Sequence, residues 1–178
     1  GTSWGCVGIA DELDPPGQVL VRDLGGRSVL ITKNAAGELR GFANTCRHRG
    51  TQLLDADCTV GRTIRCPYHR WGYDRDGRLI ATPQFADAGI DQFDPADYGL
   101  HTIRVERWGC LLFATLDHDA PPVDGWFGDL GDRLRLLRAD LQNQRRSPLP
   151  GSNLGEELPE GTEAIFGEEC RLGLVLEN

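Results

Sequence analysis

Over the first 117 residues, short apolar and β-branched runs alternate with turn signals. Gln18-Val19-Leu20-Val21-Arg22 and Ser28-Val29-Leu30-Ile31-Thr32 flank Gly25-Gly26, a pattern that predicts a hairpin. Asn34-Ala35-Ala36-Gly37 turns the chain into Glu38-Leu39-Arg40-Gly41-Phe42-Ala43, and Asp74-Arg75-Asp76-Gly77 turns it into Arg78-Leu79-Ile80. Thr102-Ile103-Arg104-Val105-Glu106 alternates, with Ile103 and Val105 on one face, and Trp108-Gly109 leads into a strand over 110–116. Many short strands with Gly-rich turns predict a mainly β chain, an antiparallel sandwich or small barrel. The longest apolar stretch, Cys110-Leu111-Leu112-Phe113-Ala114, is far too short to cross a bilayer, and Cys110 reads as core.

Beyond Ala120-Pro121-Pro122 the pattern changes. Leu130, Leu134, Leu137 and Leu141 recur at helical spacing, with Asp129 and Asp132 suited to the positive helix start and Arg138 further along. Pro148, Pro150 and Gly151 then precede a Glu-rich tail. Three segments follow: 1–120 as the chemistry-bearing domain, 121–150 as a connecting segment with an amphipathic helix, and 151–178 as an acidic, weakly ordered tail. Arg171–Glu177 reads at most as a short, unpartnered strand.

The 178 residues, 39% of them hydrophobic, suffice for one real core. The net charge of −8 is concentrated: 151–178 carries seven Glu against one Arg. Between Cys46 and Arg78 the balance reverses, with seven Arg (47, 49, 62, 65, 70, 75, 78) against four Asp (55, 57, 74, 76). That patch suits steering of an acidic partner, although the same arginines could pair with the aspartates or cap loops. The acidic total and the lack of any recognition motif argue against nucleic acid. No basic-then-apolar leader is visible, and Cys6, Cys58 and Cys170 show no pairing logic, so the expected setting is reducing and cytoplasmic. The chain has no Met, even at position 1, which suggests a fragment, a processed chain or an incomplete reading of a longer gene.

Candidate chemistry lies in Cys46-Arg47-His48 and, after seventeen residues, Cys66-Pro67-Tyr68-His69. Each loop offers one thiolate and one imidazole, so two loops can close on a metal centre. Zinc accepts a Cys₂His₂ set, but its fingers pair Cys with Cys and His with His, whereas each loop here is mixed. Pro67 and the aromatics Tyr68, Trp71 and Tyr73 fit a tight, shielded loop around an iron–sulfur centre. In such a centre two ferric ions and two sulfides leave a charge that two thiolates cancel. The oxidised site is then neutral, and a four-thiolate cluster is not; exchanging Cys for His therefore raises the potential.

The pairing resembles the Rieske signature. Asn44-Thr45-Cys46-Arg47-His48-Arg49-Gly50 and Cys66-Pro67-Tyr68-His69-Arg70-Trp71-Gly72-Tyr73-Asp74 resemble the α-subunits of Rieske non-haem iron oxygenases, the aromatic-ring-hydroxylating dioxygenases and their relatives. The resemblance covers Trp4 to Leu116, including Gly17–Val21 and Trp108-Gly109. It implies an antiparallel β-sandwich with a two-loop cluster-binding subdomain, and a [2Fe–2S] cluster held by Cys46, His48, Cys66 and His69. It makes Trp4 and Trp108 family counterparts as well as core aromatics. Thr51 and Tyr68 stand where respiratory Rieske proteins carry a disulfide, which places the chain in the low-potential oxygenase and ferredoxin branch. Arg70 departs from the family's usual Gly; its side chain could touch a docking partner, but is expected to reach solvent.

The resemblance implies one-electron transfer as the electron-input domain of an oxygenase α-subunit, fed by a ferredoxin or reductase and serving a catalytic domain or subunit. Oligomerisation is compatible with it. Oxygenase chemistry takes place at a second iron held by two His and a carboxylate. Only four His are present, and His101 and His118 lack the family's spacing, so the catalytic domain is expected to be missing. A stand-alone Rieske-type ferredoxin or small electron-transfer subunit is the alternative. A structural zinc module is a third reading.

Overall fold

The computed structural model describes residues 3–83, 93–134 and 136. The chain divides at Ala120/Pro121 into two units. In the first unit the described strands are β1 (Gly5–Ile9), β2 (Gln18–Asp23), β3 (Ser28–Lys33), β4 (Leu39–Ala43), β5 (Cys58–Thr59), β6 (Ile64–Arg65), β7 (Gly72–Tyr73), β8 (Leu79–Ala81), β9 (Thr102–Trp108) and β10 (Leu111–Thr115). They form a seven-stranded sheet in the order β1-β10-β9-β4-β3-β2-β5 and a three-stranded sheet β6-β7-β8. Every pairing is antiparallel, as the short strands and tight turns implied.

The central strands are apolar on both faces because two cores flank them. Alternate residues point to opposite sides of a strand. Val19 and Leu30 join Phe42, Cys46, Ile64, Cys66, Trp71 and Tyr73 in one core. Leu20, Val29 and Ile31 join Val7, Leu13, Ile103 and Leu112 in the other. The sheet thus separates a structural base from a core that carries both cysteines. Gly41 lets β4 and β9 approach closely: a Cβ there would lie 2.8 Å from the Ile103 carbonyl oxygen.

The Asp74–Gly77 turn connects the two-stranded hairpin β6–β7 to β8. The Asp74 carboxylate accepts the Asp76 and Arg78 amides, each at 2.9 Å. Gly77 has φ +79°, and a Cβ there would lie 2.4 Å from Cε1 of the fully buried Phe42. Gly77→Ala therefore combines a left-handed backbone penalty with overpacking. We expect about 2–4 kcal/mol of destabilisation, read as a lowered urea midpoint. An unchanged midpoint would contradict this packing.

Several sequence expectations need correction. Cys110 is half-buried at the β9–β10 turn and is no core residue. Trp4 is buried, with the Arg104 guanidinium 5.2 Å from its ring centre, but Trp108 is only half-buried. In the second unit a short helix α1 (Val123–Phe127) precedes the leucine-patterned segment, and Gly128, at φ +55°, follows it. Residues 130–134 are helical, with Leu130 and Leu134 exposed and an Asp129–Arg133 ion pair at 2.8 Å. That pair is largely in solvent and contributes little. Leu137, Leu141, Arg138 and the tail at 151–178 lie outside the described residues. No helix among the described residues is long and apolar enough to cross a membrane.

Candidate metal centre

Two loops with the same backbone plan bring the four sequence-marked residues together. In the first, the Cys46 amide donates to the Thr51 carbonyl at 2.8 Å and the Gly50 amide to the Cys46 carbonyl at 2.9 Å. In the second, the Cys66 amide donates to the Trp71 carbonyl at 2.8 Å and the Arg70 amide to the Cys66 carbonyl at 3.1 Å. Each loop turns on a left-handed residue four positions after its cysteine: Gly50 at φ +73° and Arg70 at φ +60°. Glycine occupies that conformation freely, whereas a side chain is strained there. This is a physical reason for a glycine at position 70, and the exposed Arg70 side chain reaches solvent as expected. Arg70→Gly should raise stability by about 1 kcal/mol. A lower unfolding midpoint in that variant would count against the strain.

Buried Asn44 closes the base of the first loop. Its amide nitrogen donates to Ser28 Oγ at 2.9 Å and the Leu54 carbonyl at 2.6 Å. Its oxygen accepts the Leu53 and Leu54 amides, both at 3.0 Å. The second loop needs no such clamp, because it is the tip of the β6–β7 hairpin, in register at Ile64↔Tyr73 and Arg65↔Gly72.

Both cysteines are 2% exposed. Burial pushes the Cys46 thiol up, with Cys66 adding to the rise and the Tyr73 hydroxyl opposing it. A thiol so placed as Cys46 is reluctant to ionise alone and is suited to ionising on a metal. Tyr73 Oη lies 3.3 Å from Cys46 Sγ and accepts the Arg47 amide at 3.1 Å, which leaves its proton free to point at the sulfur. Burial, followed by that sulfur contact, drives the phenol well above its ordinary range, so it remains a donor.

The imidazoles sit above the thiols in sequence and beside each other in space. His48 and His69 have ring centres 4.7 Å apart, edge to face. His48 stacks on buried Trp71 at 4.7 Å and 9°. Tyr68, 58% exposed, lies over His69 at 3.7 Å. Trp71 is edged in turn by Phe93 at 5.8 Å and Tyr98 at 5.7 Å. Burial, then the His69 and Arg49 charges, holds the His48 imidazole below the usual histidine range and keeps it neutral. Both Nδ1 atoms are shut off from solvent, and that of His69 meets no hydrogen-bond partner. A buried lone pair without a donor is costly in a closed structure and fits a site that holds a metal group.

No group of three or more His, Cys, Asp or Glu among the described residues is placed to hold a metal ion. The two loops together present one pair of buried thiols, Cys46 and Cys66, and one pair of adjacent imidazoles, His48 and His69. His101 and His118 take no part. His101 lies against the Arg47 guanidinium, and His118 is exposed with its carbonyl 3.3 Å from Arg104 Nη1. Sequence reasoning missed the Asn44 clamp and the Tyr73 hydroxyl. Asn44 was visible only as motif context, and Tyr73 only as a shielding aromatic.

Known proteins are similar to this chain in sequence and in fold. The biphenyl 2,3-dioxygenase subunit alpha of Rhodococcus jostii strain RHA1 is 33% identical over 129 residues, 72% of this chain and 28% of its own length. The glycine betaine monooxygenase oxygenase subunit of Chromohalobacter salexigens is 35% identical over 138 residues, 77% of this chain and 30% of its own. A crystal structure of naphthalene 1,2-dioxygenase from Rhodococcus sp. superposes with a TM-score of 0.70 at 29% identity, covering 76% of this chain and 31% of that one. A quaternary ammonium Rieske monooxygenase gives a TM-score of 0.70 at 29% identity, over 75% and 36%. The chain thus spans little more than a quarter of the first curated relatives it matches. The profile of the Rieske [2Fe-2S] domain matches residues 3–98, which include both Cys/His loops and strands β1 to β8; this chain belongs to that family, whose cofactor is a [2Fe–2S] cluster.

Proposed function

We propose that Cys46 and Cys66 bind one iron and His48 and His69 the other, and that the chain passes single electrons as the input domain of a Rieske oxygenase α-subunit. The observation that carries this reading is the meeting of two buried thiols with two imidazoles whose Nδ1 atoms are closed to solvent. When bound, the cluster supplies one-electron chemistry from an oxidised site that the Cys₂His₂ set leaves uncharged. The chain's own residues set its terms. Trp71 fixes the His48 ring and, with Phe93 and Tyr98, keeps water from the sulfurs. His48 and His69 would hold the group through Nδ1, the nitrogens closed to solvent, which would leave each Nε2 to carry the ring proton. The Tyr73 hydroxyl would donate a hydrogen bond to the Cys46 sulfur and so favour the more negative, reduced state. Tyr73→Phe should therefore leave the visible spectrum in place and lower the midpoint potential by tens of millivolts, measured by redox titration. A potential that is unchanged or higher would contradict the role assigned to this hydroxyl.

The relatives matched, including the biphenyl dioxygenase and glycine betaine monooxygenase subunits, support the oxygenase setting. In that setting the partners are a ferredoxin or reductase upstream and a mononuclear-iron catalytic domain or subunit downstream. The 178 residues alone, given iron, oxygen and a reductant, should hydroxylate nothing; any hydroxylated product would overturn the assignment of His101 and His118 to non-catalytic positions. The direct test of electron transfer is absorption during anaerobic titration with dithionite. Visible bands should bleach with one electron per chain, and a colourless chain that holds zinc would reject the reading.

A further inference from the structure

We infer that the exposed arginines at the loop tips, Arg49 and Arg70, with Arg62 and Arg65 leading into the second loop, form the docking surface for an acidic face of a one-electron redox protein. The inference rests on the electron-transfer reading above and names the partner of that same site. It begins in the matched plan of the two loops. His48 is followed by Arg49 and His69 by Arg70, so each imidazole has an exposed cation next to it.

The local carboxylates do not neutralise these cations. Asp57 is taken by Arg22 at 2.7 Å, outside the segment. Asp76 is taken by Arg40 at 3.0 Å and by the Asn34 amide at 2.9 Å. Asp74 accepts the backbone amides of its own turn, and Asp55 accepts the Gln52 amide at 3.1 Å. Of the seven arginines, Arg47 lies against His101 and Arg75 donates to the Lys33 carbonyl at 3.3 Å. Arg49, Arg62, Arg65 and Arg70 are exposed, and none makes an ion pair with a carboxylate among the described residues. On a chain of net charge −8 this is an arrangement, not an excess of base.

Arg70 strengthens the case because its backbone is strained where glycine would be relaxed. Strain that persists at a surface position marks a residue kept for something other than stability. Exposed Tyr68, lying over His69 between the loops' cations in sequence, supplies the rigid aromatic contact that interface centres favour. The partner's acidic face meets the arginines, its electron passes to the imidazole side of the site, and no bond forms or breaks: the partner is oxidised by one electron as the site is reduced by one. Charge of this kind acts on encounter rate and fades with salt.

The field is read with small ions of opposite sign. The dithionite-reduced, cluster-loaded chain is oxidised in a stopped-flow instrument by ferricyanide or by hexaamminecobalt(III), at low and high salt. Arg49→Gln and Arg70→Gln should each slow the ferricyanide reaction about three- to fivefold at low ionic strength and speed the cobalt reaction. Poly-L-glutamate should compete with ferricyanide on the native chain and lose that effect in the double variant. Arg70→Gly should slow ferricyanide while raising the unfolding midpoint, a split that a merely structural arginine would not produce. Rates unchanged for both ions, or polyglutamate without effect on the native chain, would overturn the inference. The visible spectrum keeps the two readings apart, since its absence rejects the cluster and its presence with flat rates rejects the dock. Should a tip variant lose the spectrum, Arg62→Gln, four residues before Cys66, carries the same test with the same outcomes.

Discussion

Replacing His69 by Ala, or His48 by Ala, should abolish the Rieske-type visible spectrum and lower bound iron and sulfide by more than about tenfold. Even a residue that only hydrogen-bonds a metal ligand costs 10- to 100-fold in affinity when removed, so loss of a direct ligand sets that range as a floor. The His48 and His69 rings touch each other, so the loss of either also loosens its neighbour. Neither belongs to the two apolar cores, so the sheets should stay folded and the far-ultraviolet dichroism should be unchanged. Iron and sulfide analysis with the absorption spectrum checks the result. A variant with its spectrum intact would remove that histidine from the ligand set.

Trp71→Ala should have the largest effect on stability, about 3–5 kcal/mol. Trp71 is 1% exposed and touches three other rings, His48, Phe93 and Tyr98, so its removal opens a cavity with rigid walls. A domain of this size is stable by only about 5–15 kcal/mol, so the urea midpoint should fall sharply. Trp71→Phe should recover much of it by refilling part of the space. The cavity also opens a route for water to the Cys46 and Cys66 sulfurs, so cluster loss on storage should quicken in step with the lower midpoint. A change below about 1 kcal/mol would mean that the ring stack is not what supports the loops.

The four candidate ligands were legible because their spacing is local: one residue separates Cys46 from His48 and two separate Cys66 from His69, and the mixed Cys/His order is chemically distinctive. The hairpin strands β2, β3, β4, β9 and β10 were legible for a similar reason, since turn residues and β-branched runs mark them along the chain. β5, β6 and β7 were not. Each is two residues long, too short for any periodic signal; β5 is held by β2 across the fold, and β6 and β7 by the hairpin that carries the second loop. β1, with Gly5 and Gly8 among its five residues, owes its place to β10, not to its own propensity. The charge pattern left two readings open, steering of a partner and local neutralisation. Two of the four Asp in that segment, Asp57 and Asp76, answer to Arg22 and Arg40 in strands β2 and β4. Only the folded arrangement leaves the tip cations uncovered. Arg70 shows the converse: the sequence marked a departure from glycine, and the left-handed backbone gives that departure its physical cost.

The most direct test of the ligand set is pulsed electron paramagnetic resonance on the anaerobically reduced chain, grown with ¹⁵N-histidine. The account requires one unpaired electron for each pair of irons, coupled to two histidine nitrogens, those of His48 and His69. A reduced cluster without histidine coupling, or a chain that holds a single zinc and no iron, would contradict it.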